Sequence, residues 1–300
     1  MPIISYSQYA TYTHCKRKYY LDYVEKKSKQ DTNVYFVFGD AFGATIQEFL
    51  ITMYSKSIKA ANEKDWYSFL KQKMAERFLK EKDKMDKQGL NVQDFISKES
   101  MNEAYHNGIK MLDYFIKKRG DYFRKKKCSL IGVEVPVKHT VKDNIYFTGY
   151  LDIVIMDETL NEITIWECKT SRRAWNKWKY TQEKKDQTLI YKKKYSELYD
   201  VPLDKINVKF IIFKQEINED GEWPEKRIQI LEPAQSERTL NTRYNEFEKF
   251  IDGAFVFDEK KQKYIFNSVE HFTPSPSQTN CKFCQYYKTT DCPESNKVIA

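Results

Sequence analysis

Asp152, Glu167 and Lys169 are the residue types that could cut a phosphodiester bond. Asp152 lies inside the apolar run Tyr150-Leu151-Asp152-Ile153-Val154-Ile155, and Glu167 and Lys169 occupy alternate positions near the end of the next apolar run. Alternation puts Glu167 and Lys169 on one face of a sheet, and adjacent strands bring Asp152 beside them. Two carboxylates at a sheet edge form an oxygen site suited to Mg²⁺ or Mn²⁺. Cys168 between them points to the other face, yet its backbone carbonyl can still serve as a metal ligand. Phosphodiester hydrolysis requires charge neutralisation on the phosphate and a hydroxide near neutral pH, and a bound divalent metal supplies both. The Lys169 ammonium can orient the attacking water and stabilise developing charge. Glu-x-Lys alone is a common solvated alternation. An Asp embedded in an apolar strand is harder to read as surface, because a buried carboxylate needs partners.

The elements that must position these residues follow from periodicity. Apolar residues at helical spacing predict short helices over residues 4–25 and helices over 40–55, 64–81 and 98–126. Near residue 129 the pattern changes to strands: 130–137, 145–156 and 162–169, with turns at Lys142-Asp143-Asn144 and at 157–161. A helix over 176–199, a strand over 208–213 and a helix over 234–253 follow, and the tail from about 268 reads as irregular. Helices, a strand meander, then alternating helix and strand predict an α/β (α+β) fold with a central mixed sheet. The chain divides into a helical N-terminal part (1–128), a catalytic core (129–255) and a C-terminal segment (256–300) of one domain.

With these elements placed, Gly149-Tyr150-Leu151-Asp152, then Glu167-Cys168-Lys169, then Gln187-x-x-x-Tyr191 resembles the RecB-like branch of the PD-(D/E)XK nucleases, which reads G-x-x-D, (D/E)-x-K and Q-x-x-x-Y in that order. The resemblance implies the restriction-endonuclease-like core. It also implies that Gln187 and Tyr191 face the site from the helix and help to hold substrate or Lys169. Glu134, on the preceding strand, stands where the family often carries an acidic residue. It is either a further metal group or an exposed strand residue. Phe38-Gly39-Asp40-Ala41-Phe42-Gly43 and Gln47-Glu48-Phe49-Leu50 match an early family helix that usually carries a metal-binding His. That position falls on Gly43, or in another register on Gln47, so the imidazole is absent and metal affinity is put in doubt.

Of six cysteines, three cluster as Cys281-x2-Cys284-x7-Cys292, and Cys15 lies near the start. Cys-x2-Cys is a metal-ligand spacing, and four thiolates suit a [4Fe–4S] cluster or Zn²⁺. One early and three late cysteines resemble the iron–sulfur nucleases of the RecB-like branch, including CRISPR-associated and phage exonucleases, where the cluster staples the chain ends together. Unligated thiols are the alternative. His14 and His271 are near enough in sequence to substitute as ligands. Cys128 and Cys168 read as buried small residues.

Between Lys169 and Gln187, Arg172, Arg173, Trp175, Lys177 and Trp178 interleave cations with rings, as in single-strand binding sites. The alternative is that Trp175 and Trp178, three apart, both pack inward. The lysines at 125–127 read as a solvated helix end or the extension of a phosphate groove. A net charge of +8 favours a polyanionic partner without specifying one. With 15% aromatic residues, the composition excludes a disordered chain. No apolar run of about 18 residues is seen and the N-terminus lacks a signal-peptide pattern, so a soluble cytoplasmic protein with no membrane partner is expected, in the host cytoplasm if phage-encoded. The expected function is a divalent-metal-dependent deoxyribonuclease, acting as an exonuclease on DNA ends or single strands, with a partner in a recombination, repair or phage replication system. The alternatives are a catalytically weak DNA-binding protein of the same fold and a structure-specific endonuclease.

Overall fold

The computed structural model describes residues 1–28, 32–218 and 225–298. In chain order its elements are β1 (Ile3–Ile4), α1 (Tyr6–His14), α2 (Lys16–Tyr19), α3 (Val34–Ser55), α4 (Ile58–Glu63), α5 (Trp66–Asp86) and α6 (Lys98–Lys118). Then come β2 (Cys128–Lys142), β3 (Ile145–Asp157), β4 (Glu162–Ser171), α7 (Gln182–Tyr199), β5 (Ile206–Lys214), β6 (Ile228–Leu231), α8 (Glu237–Ala254), β7 (Phe255–Asp258), β8 (Lys263–Phe266) and α9 (Gln278–Cys281).

β2, β3 and β4 form the expected antiparallel meander. Its second turn closes where Asp157 Oδ1 accepts the N–H groups of Thr159 and Leu160, a local side-chain bond that competes with strand continuation. β4 pairs with β5 in parallel, and α7 makes the crossover that a parallel pair requires. β1 lies parallel to β3, and β6 is antiparallel to β5. The result is a central mixed sheet flanked by helices, as the element order predicts, with β7 and β8 forming a separate ribbon.

The sheet is covered on both sides. One core layer joins α1, α7 and α8 to Leu151, Val154, Ile163 and Ile165. The other joins α3, α5 and α6 to Ile153, Ile155, Trp166 and Ile211. Leu151 thus packs into one layer and Ile153 into the other, with Asp152 between them. α3 is long and apolar enough, by length and composition, to cross a membrane. In the fold it is a core helix that buries Val37, Phe38, Phe42, Ile46, Phe49 and Leu50.

Among the boundaries that differ from the periodicity, three have a visible local cause. α3 starts at Val34 rather than at residue 40, because Asn33 Oδ1 caps the N–H groups of Tyr35 and Phe36. α6 stops at Lys118 rather than at 126, and Lys125 instead reaches the Met53 and Lys56 carbonyls at the end of α3, at 2.6 and 3.2 Å. α7 starts at Gln182 rather than at 176, because Asn176 Oδ1 accepts from Trp178 N and Lys179 N and closes a turn.

Candidate active site

β3 and β4 pair from Asp157 opposite Glu162 as far as Ile153 opposite Trp166, and then part. Asp152 and Glu167 are the next residue on each strand, so both carboxylates stand in the fork. Beyond it β4 stays with β5, Glu167 opposite Phe210 and Lys169 opposite Ile212. The Asp152 carboxylate bridges the opening, its Oδ2 accepting the Cys168 N–H at 2.7 Å where the ladder would otherwise have continued.

Glu167 is only 2% exposed. Its Oε1 takes both the Lys169 ammonium at 2.6 Å and the Gln187 amide at 3.0 Å. Lys169 retains 38% side-chain exposure toward the cavity. Burial draws its pKa down, but the Glu167 and Asp152 carboxylates outweigh that and hold the ammonium charged. Burial, and then repulsion from Glu167, push the Asp152 carboxyl well above the usual range. Burial likewise raises the Cys168 thiol, followed by the two carboxylates, so that side chain stays neutral.

α7 supplies Gln187 and Tyr191, as expected, but in different ways. Gln187 touches Glu167 directly. Tyr191 is buried under β3, where its ring lies across Gly149. Burial, then Glu167, push its hydroxyl up to about 12, while a hydrogen bond with Gln187 opposes them.

Glu134 stands opposite Asp152, since its neighbours Val133 and Val135 register with Ile153 and Leu151. Its φ of 46° is left-handed, a conformation that costs a non-glycine residue about 1–3 kcal/mol and concentrates at functional sites. Gln47 on α3 donates to Glu134 Oε1 at 2.6 Å and to the Asp152 carbonyl at 3.1 Å. The Gln47 amide therefore ties two acidic residues together. Gly43, one turn earlier, faces the same cavity, and a Cβ there would meet nothing within 4 Å.

These groups border a concave space of about 870 Å³, lined by Gly43, Gln47, Glu134, Asp152, Cys168 and Lys169 and extending to Tyr35, Phe36, Arg172 and Lys179. The donor set fits a hard divalent cation. Asp152 and Glu167 are the carboxylates that would hold such a cation, and its positive charge would offset the burial and the Glu167 repulsion that oppose ionisation of Asp152. Among the described residues no three His, Cys, Asp or Glu side chains are already drawn together as a ligand set, so binding would require the carboxylates to close in.

Cys15, Cys281, Cys284 and Cys292 line one small cavity of about 20 Å³, and none is in a disulfide. The two chain ends meet here: Asn280 Nδ2 donates to the His14 carbonyl at 2.9 Å, Tyr286 to Asp22 at 2.8 Å, and Lys27 pairs with Asp291 at 2.6 Å. The side chains of His14 and His271 are not part of this lining.

The basic segment after β4 divides. Arg172 and Arg173 both donate Nε to Glu216. Trp178 is 78% exposed, with Lys177 over its ring at 5.0 Å. Trp175, expected among the nucleic-acid contacts, is buried against Phe210 and Ile212. With Tyr180 and Phe210 as ring neighbours and the Lys184 ammonium over the ring at 4.4 Å, it presents no free face to a base, which corrects that expectation. Tyr35 and Phe36 drew no functional reading from the sequence, because they lie ahead of the helix expected over 40–55, whereas α3 starts at Val34. Gln47 was signalled by the alternative register of the early helix.

The family model of the PD-(D/E)XK nuclease superfamily matches residues 3–289. A crystal structure of an exonuclease candidate from Eubacterium rectale aligns over 99% of this chain and 89% of its own, at 11% identity and a TM-score of 0.50, a likeness of fold. The solved structure of SSO0001 aligns over 90% of this chain and 91% of its own at 12% identity, with a TM-score of 0.31 that carries no argument. No curated protein matches. With the family match running nearly end to end over a sheet that forks at Asp152 and Glu167, the chain belongs to the PD-(D/E)XK nuclease superfamily.

Proposed function

We propose that the protein is a divalent-metal-dependent deoxyribonuclease of the RecB-like branch, acting as an exonuclease on DNA ends or single strands. The observation that carries this reading is the fork, where Asp152 and Lys169 line an open cavity and the buried Glu167 carboxylate lies directly behind them, bonded to Lys169. Asp152, Glu167, the Cys168 carbonyl and Glu134 would hold Mg²⁺ or Mn²⁺. When bound there, the cation would neutralise phosphate charge and acidify a water. Lys169, kept charged by Glu167, would orient that water and meet the charge that develops on the phosphate. Gln187 would hold the Glu167 carboxylate in place, and Tyr191 would wedge α7 against β3. Degradation of end-labelled linear single- and double-stranded DNA with Mg²⁺ or Mn²⁺ tests this, and the product ladder gives the polarity.

A second reading, a DNA-binding protein with little or no catalysis, is favoured by one observation. Gly43 brings no ligand to the cavity, and Gln47 is engaged by Glu134 and Asp152. Titration calorimetry separates the two, since a binder need not take up Mn²⁺ at Asp152 and Glu167.

The same reading extends to the chain ends. Cys15, Cys281, Cys284 and Cys292, gathered around one cavity between the two termini, would hold a [4Fe–4S] cluster or Zn²⁺ as a staple. Burial raises the Cys284 and Cys292 thiols in the metal-free protein, so ligation would have to displace protons and would weaken in acid.

A further inference from the structure

At the mouth of the cavity, opposite the segment that follows β4, two large rings stand in solvent. Tyr35 is 59% exposed and Phe36 57%. Both line the same space as Asp152 and Lys169. A ring left in water forgoes about 1.5–3 kcal/mol of burial, so two exposed rings beside one cavity offer apolar faces that an occupant would gain by covering. The backbone that carries them is fixed by the helix cap, since Asn33 Oδ1 takes both of their N–H groups, at 2.9 and 3.2 Å. The cations on the side of the segment after β4 are Arg172, whose Nε bonds Glu216 and whose other guanidinium nitrogens are left for a phosphate, and Lys179. Arg172 and Lys179 line the cavity, and Arg172 lies within electrostatic range of the Tyr35 hydroxyl. Asp40, the nearby acid on α3, is engaged by Arg77 at 3.8 Å.

We propose that Tyr35 and Phe36 form a base-stacking platform that admits an unpaired strand to the cavity, with Arg172 and Lys179 taking its phosphates. This rests on the nuclease reading of the cavity floor and names the form of substrate that its mouth accepts. Rings beside cations suit a single strand, whose bases expose their faces. A duplex hides those faces in its own stack and offers phosphate to an apolar ring, which gains nothing.

The test is fluorescence anisotropy in EDTA, so that no cleavage intervenes. The probes are a labelled oligothymidylate of about 12 nucleotides, an abasic strand of equal length and a duplex. The wild-type protein is expected to bind oligothymidylate about tenfold or more tighter than the abasic strand, since each stacked base is worth roughly 1–3 kcal/mol. The double substitution Tyr35→Ala/Phe36→Ala should lower oligothymidylate affinity to the abasic level and leave abasic affinity unchanged. The exchange Tyr35→Phe/Phe36→Tyr, which keeps both rings, should retain the preference. Equal wild-type affinity for the two strands, tighter wild-type binding of duplex, or a full preference in the alanine variant would overturn the platform. A base preference that persists in a protein which cuts nothing would overturn the nuclease reading and leave the platform standing.

Discussion

The ring of Tyr191 lies so close over Gly149 that a Cβ at residue 149 would sit 2.7 Å from Cε1 and 3.0 Å from Cζ and the hydroxyl. The glycine and the tyrosine, 42 positions apart in sequence, are therefore two halves of one contact. Tyr191 in turn bonds Gln187, and Gln187 bonds Glu167. The three short motifs form a single chain of contacts from the back of β3 to the cavity floor.

Gly149→Ala should therefore act as an overpacking substitution, since neither the strand backbone nor a buried ring can yield cheaply. Thermal unfolding should show a loss of about 1–3 kcal/mol. Nuclease turnover should fall with it, because displaced Tyr191 releases Gln187 from Glu167. An alanine variant with unchanged Tm and unchanged turnover would break the proposed link.

Asp152→Asn should stabilise the metal-free protein while abolishing cleavage. Burial and Glu167 raise the Asp152 pKa in the folded state, so its contribution to stability is fully present below the ordinary carboxylate pKa of about 4 and is lost as pH rises through the raised value. The asparagine keeps an acceptor for the Cys168 N–H and carries no charge. In EDTA at about pH 8 the variant should melt above the wild type, and the difference should vanish near pH 4. A variant that melts lower at the higher pH would contradict the burial of an ionisable carboxyl there.

Gly43→His should tighten Mn²⁺ binding by about tenfold, which is 1.4 kcal/mol. The new side chain enters the open cavity that Glu134 and Asp152 also line, and imidazole is a competent ligand for such ions. Calorimetry measures the change. A His variant with wild-type affinity would mean that Gly43 does not face the bound cation.

Substituting Cys281 or Cys284 by Ala should remove bound iron or zinc in elemental analysis and lower the Tm by several degrees, because metal-binding energy in a structural site is folding energy. The Asn280, Tyr286 and Lys27 bonds between the termini should keep the variant folded at lower temperature. Full metal content in both variants would remove these cysteines from the ligand set.

How much of this was readable in the sequence depends on what each feature leaves behind. The meander of β2, β3 and β4 was readable because long strands of Val, Ile and Tyr leave a strong signal, and so was the order of the three motifs. β6, β7 and β8, at four residues each, leave almost none. The fork was hidden because periodicity reports which residues alternate, not where two strands cease to pair. The left-handed turn at Glu134 was hidden too, since nothing in Val133-Glu134-Val135 marks a positive φ. Trp175 and Trp178 were indistinguishable by spacing. A turn closed by Asn176, between them, sends one ring into the core and the other into solvent.

The most direct test of the central claim is a time course on end-labelled linear DNA with Mg²⁺ or Mn²⁺, comparing the wild type with Lys169→Ala. The account predicts metal-dependent degradation by the wild type and a loss of roughly 10²–10³-fold in kcat in the variant, the scale of removing one preorganised transition-state donor. Equal rates in the two proteins would contradict the role given to Lys169. DNA binding without cleavage by the wild type under any of these conditions would contradict the claim that the fork at Asp152 and Glu167 is a working nuclease centre.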